Sequence, residues 1–281
     1  MSQTSETGAV TAQRPVILRW LSVPVGLVAT WAWIAYSPAL LDKLTYSSDF
    51  HAVVSFYLVL FAPLIVLAAI LGFVCGCRVF RVGAAPFAFL LLGLATGGIG
   101  LAVAVAYAWL NGGIVPGSGQ ESLVIMGLPL ILLQTSAEEF LVRGWLQQVL
   151  IGLTSPVAGV LLASVMFAGL HLASGPVAPH SLLNMVLAGC FFGVLAWRSG
   201  GLVAPVAAHF AWNAVEDFGF GLVPNPGLGP FGSLVDLDLA GAELWGGGAE
   251  GLNASIGTTI VLAALILPLV AWRPKQAPLP A

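Results

Sequence analysis

Charge is what this sequence lacks most. Of 281 residues, nine are Lys or Arg, twelve are Asp or Glu and four are His, so charged side chains make up 7%. A soluble protein carries about 25%. A fold of this size needs a polar shell in water, and these residues cannot supply one. That excludes a soluble enzyme, a nucleic-acid binder and a disordered chain. Cysteine is also scarce: Cys75, Cys77 and Cys190 are an odd set that builds no disulfide framework and no zinc site. What is present is apolar. Hydrophobic residues are 59% of the chain and mean hydropathy is +0.99. The class is an all-α polytopic membrane protein, with membrane lipid as its solvent and no nucleic-acid partner.

A membrane-crossing helix needs about 20 apolar residues. The hydropathy pattern predicts about eight, at 17–37, 53–74, 84–110, 122–146, 156–173, 181–198, 201–222 and 257–272. The first is too long for a signal core and is followed by others, so it reads as an uncleaved span. With eight crossings, Arg14, Arg19, Arg78, Arg81, Arg143, Arg198, Arg273 and Lys275 fall on one side, and only Lys43 falls on the other. Basic asymmetry sets orientation, which places both termini in the cytoplasm. The chain divides into a disordered tail at 1–15, three spans within 16–121 and a polar-bearing core at 122–222. A Gly/Pro-rich acidic outer loop at 223–256, read as flexible, and a last span with a short tail at 257–281 complete it.

Ionisable groups inside spans are costly and mark function. They gather in three places, all in the second half: Glu138, Glu139 and Arg143; His171 after Phe167; and His209 with Asn213. Glu139 and Arg143 stand four apart with the acid first, the favourable order for a same-face pair. Glu138 is turned about 100° away and is left for another partner. His209 and Asn213 share a face by the same spacing. Glu138 and His171 lie nearly equidistant from the Gly152–Ser155 turn, so an antiparallel hairpin would bring them level. Span five would then stop short of the outer surface, with either the hairpin shifted outward or the 173–180 loop sheltered by protein.

The ordered set Glu138-Glu139-Phe140-Leu141-Val142-Arg143, Phe167-Ala168-Gly169-Leu170-His171 and His209-Phe210-Ala211-Trp212-Asn213 resembles the CAAX protease and bacteriocin-processing family of intramembrane proteases. The resemblance covers about a third of the chain, roughly 122–216. It implies a helical membrane fold with a cavity, and endopeptidase activity on peptides or membrane proteins, lipidated in some members. It further implies that Glu138 and His171 activate a water, that His209 and Asn213 stabilise the oxyanion, and that Glu139, Arg143 and Phe167 support the site. The same residues leave two schemes open. Glu138, His171 and His209 could form a zinc set with a fourth position for water, or the glutamate could act without metal. A bacterial inner membrane is the expected location.

Two other functions compete. One is a non-catalytic scaffold or bacteriocin-immunity protein on the same fold, against which stands the full set of four candidate catalytic residues. The other is a proton-coupled carrier. Carriers show repeats with paired broken helices, yet the span prolines at 63, 129, 156, 205 and 268 do not fall in matching positions.

Overall fold

The computed structural model describes residues 15–117, 123–222 and 229–272. The N-terminal tail through Arg14, Glu121, the 223–228 part of the outer loop, and Arg273 with Lys275 lie outside the described residues.

Among the described residues a helix stands at each of the hydropathy maxima: α1 (Val16–Leu41), α2 (Asp49–Cys75), α3 (Pro86–Leu110), α4 (Val124–Leu153), α5 (Pro156–His171), α6 (Pro179–Ser199), α7 (Val203–Ala214) and α8 (Ile256–Ala271). The first six, with α5 carried on to Ser174 by a 3-10 turn, include every helix among the described residues that is long and apolar enough to cross a membrane. The two that close the chain are shorter. Local chemistry sets the ends. Ser48 and Ser155 cap α2 and α5 by accepting from the His51 and Ala158 amides, and proline opens α3, α5 and α6. Gly76 and Gly200 end α2 and α6 in the left-handed conformation, φ 72° and 65°. Apolar side chains such as Phe73, Leu110 and Ile125 project from the bundle surface, as lipid requires. This is an all-α polytopic membrane protein.

Arg19, Arg78, Arg81 and Arg198 gather at one end. The Arg19 guanidinium lies against Gly152, Gln148 accepts from the Arg78 amide at 3.3 Å, Leu202 donates to the Arg81 carbonyl at 2.9 Å, and Arg198 donates to the Val270 carbonyl at 2.7 Å. The start of α1 and the ends of α2, α4, α6 and α8 therefore meet at one end of the bundle. There Cys77 is half-buried, and burial with Cys75 beside it pushes its thiol up to about 12, against the opposing pull of Arg19 and Arg81. So high a value makes Cys77 a poor nucleophile.

Two differences from the sequence reading stand out. Span four was expected to end at 146, but α4 runs on to Leu153. Gln147, just past the expected end, is buried and donates to the Gly193 carbonyl at 3.0 Å. Second, the described part of the outer loop is built rather than loose. Its strand β2 (Leu237–Leu239) pairs antiparallel with β1 (Ile114–Pro116), and Phe231 and Leu252 are buried. Glu250 accepts from the Ala178 amide at 2.6 Å. That contact ties the outer loop to the short connection after α5.

The helix bearing His209 sits at the centre. Gly93 and Gly97 of α3 face the Ala204 and Ala208 carbonyls of α7, where an added Cβ would collide with backbone. Small residues at this spacing let helices approach closely in lipid. The close approach leaves most of α7 buried, including His209 and Asn213.

Candidate active site

Within α4, residues Phe140–Leu146 form a π-helical stretch. Such local unwinding shifts the register of side chains and recurs at functional sites. Glu139 closes the regular part and Arg143 lies inside the stretch. Both are 0% exposed. Arg143 Nη1 donates to Glu139 Oε1 at 2.8 Å, and Nη2 donates to the Gly189 carbonyl at 3.0 Å. The guanidinium lies over the rings of Phe167 and Phe192, at 4.8 and 5.4 Å from their centroids. The expected pair is present, and Phe167 supports it through its ring.

Glu139 has a second partner that helical spacing could not reveal. His209 Nδ1 lies 2.9 Å from the same Oε1. A carboxylate oxygen accepts only, so this ring nitrogen carries the proton. The His209 ring stacks on Phe192 at 4.5 Å and 17°. Its Nε2 is thereby aimed at Glu138, whose Oε2 lies 3.8 Å away. That separation is too long for a hydrogen bond and suits a bridging water. Glu138 is oriented from its own helix by Gln134, whose amide donates to Oε1 at 3.4 Å.

His171 ends α5. Its Nδ1 donates to the Phe167 carbonyl at 2.9 Å, and its ring meets Phe167 edge-on at 4.8 Å. In the neutral ring this leaves Nε2 as an acceptor. Glu138, His171, His209 and Asn213 all line one cavity of about 370 Å³. Its walls are otherwise largely apolar, with Phe56, Phe61 and Leu64 from α2 among them.

Further polar residues line the same cavity outside the quoted motifs, Gln134, Tyr57 and Glu216 among them. Gln134 stands one turn before Glu138 on α4, a spacing that could have found it. Tyr57 comes from α2, which has no polar motif. Glu216 lies just past Asn213 in a π-helical turn, Val215–Gly219, that continues α7. Next to it, Asp217 is also buried.

The four lining residues fall in the three polar segments that carry the likeness. Residues 120–215 match the family model described as type II CAAX prenyl endopeptidase, Rce1-like. The matched Rce1-like segment runs from just before α4 to the start of the turn after α7, and so contains both acids, both histidines, Arg143 and Asn213. It is about a third of the chain. The rest, including α1 to α3 and α8, lies outside the match. No curated protein and no solved structure matches the chain.

Among the described residues, no three His, Cys, Asp or Glu side chains converge as a metal-holding group. Glu138, His171 and His209 share the cavity without converging to that degree.

Proposed function

We propose that this protein is an intramembrane endopeptidase of the CAAX-protease type, acting through a carboxylate-activated water, with eight crossings and both termini in the cytoplasm of a bacterial cell. The observation that carries the reading is the relay Arg143–Glu139–His209 set beside Glu138 on the wall of a largely apolar cavity.

In the proposed mechanism Glu138 accepts a proton from a water held between its carboxylate and His171 Nε2, both of which line the cavity. The water attacks the scissile carbonyl. Negative charge then develops on the carbonyl oxygen, where the amide of Asn213 and the Nε2–H of a His209 that carries a proton on both ring nitrogens from the outset stabilise it; such donors act most strongly in a low-dielectric cavity. Glu139 fixes the imidazole ring by accepting from Nδ1 at 2.9 Å, and Arg143 in turn holds the Glu139 carboxylate in place at 2.8 Å. Glu138 finally returns its proton to the departing amine. No step of this scheme runs through a metal. The substrate is a peptide or membrane-protein segment, and the apolar α2 wall suits a chain carrying a lipid.

Comparing new N-termini in membranes of cells that carry wild-type or Glu138→Ala protein tests the reading. A cleavage product present only with wild type is expected. Identical product sets would leave the scaffold reading in its place.

A further inference from the structure

Glu216 lines the cavity yet has no part in the mechanism above. His209, Asn213 and Glu216 stand at i, i+4 and i+7, a spacing that puts them on one stripe of a helix, and all three face the cavity. Glu216 is 2% exposed, and its Oε1 is buried without a hydrogen-bond partner among the described residues. A buried acceptor in that state is costly unless a donor arrives. None is available from a protein cation. The buried acids are Glu139, Glu216 and Asp217, while Arg143 is the only buried Arg or Lys among the described residues. Arg143 is already engaged by Glu139 and the Gly189 carbonyl. Glu216 therefore stands on the cavity wall with no buried cation to answer it among the described residues.

Seven helical residues separate His209 from Glu216 by about 10 Å. An extended peptide rises about 3.3 Å per residue, so Glu216 lies about three residues from the bond at His209. We propose that Glu216 is a specificity residue, taking the cationic side chain of a substrate lysine or arginine about three residues from the scissile bond. The assignment rests on the endopeptidase reading for the position of that bond. A basic side chain has the length to reach the acid while its stem stays on the apolar wall.

The probes are pairs of Ala/Leu peptides that differ only by one lysine or norleucine, moved along the sequence. Binding is measured on full-length Glu138→Gln protein in nanodiscs, so that peptides stay intact. At the best position the lysine peptide should bind about 10-fold tighter than its norleucine twin, the scale of one charge-assisted hydrogen bond. Adding Glu216→Gln should bring the twins to within about 2-fold, well below that scale. Glu216→Asp, which keeps the charge, should retain part of the preference and covers the case in which the glutamine variant misfolds. Equal binding of the twins, or a lysine preference that survives Glu216→Gln, overturns the assignment. Wild-type protein is then given the same peptides. Glu216-dependent binding with no cleavage leaves the cationic subsite standing and removes the endopeptidase reading. Cleavage with no lysine preference does the reverse.

Discussion

Arg143 and Glu139 make the interaction whose removal can be worked out most fully. Both side chains are inaccessible and meet at 2.8 Å. Arg143→Met keeps the volume between Phe167 and Phe192 but removes the charge. Glu139 would then be a buried carboxylate answered only by His209, and the Gly189 carbonyl would lose its donor. Breaking a buried pair from one side costs about 3–5 kcal/mol, because an uncompensated charge remains. Glu139→Gln should be costly for the mirror-image reason. In the double variant neither charge is stranded, so the loss should fall short of the sum of the two by about 1–3 kcal/mol. Unfolding in mixed micelles can be followed by tryptophan fluorescence, since Trp145 is buried two positions from Arg143. Proteolysis should fall in parallel with the folded fraction in Arg143→Met. Additive losses, within about 0.5 kcal/mol, would refute the pairing argument. An Arg143→Met protein as stable as wild type but catalytically dead would show that Arg143 contacts substrate instead.

Three further outcomes follow from the geometry. Asn213→Ala removes an oxyanion donor, so kcat should fall about 10²–10³-fold with little change in KM; a rise in KM at constant kcat would place Asn213 in ground-state binding. Purified protein should carry substoichiometric zinc by elemental analysis and respond weakly to chelators, whereas one tight zinc per chain, lost in His209→Ala, would reverse the metal-free scheme. Gly97→Ala should destabilise the bundle because its Cβ meets the Ala208 carbonyl. Gly98→Ala, whose nearest neighbour is Val215 at 3.8 Å, should be neutral or stabilising by up to about 1 kcal/mol. Equal melting of the two would count against close α3–α7 packing.

Much of this arrangement is written locally in the chain. Hydropathy locates the helices, because a span's apolar length is a property of consecutive residues. Spacing pairs Glu139 with Arg143, because four residues bring side chains onto one face. The Glu139–His209 contact was not legible, since it joins α4 to α7 and no single-helix rule reaches across. Span four runs on past 146 because Gln147 is buried and bonded to the Gly193 carbonyl, a contact with another helix that apolar length alone does not register. Glu216 escaped notice for a related reason. It lies beyond the last motif, where an acid reads as the polar end of a span, and only the cavity shows that it faces inward. The outer loop was read as flexible from its glycines and prolines, but Phe231 and Leu252 anchor it through contacts far apart in sequence.

The central claim is that Glu138 is the base. Glu138→Gln keeps the side-chain shape but cannot take a proton from water. In purified protein matched for melting temperature, and with a substrate cut by wild type, kcat should fall about 10²–10⁴-fold. A well-folded Glu138→Gln protein that cleaves at the wild-type rate would contradict the account.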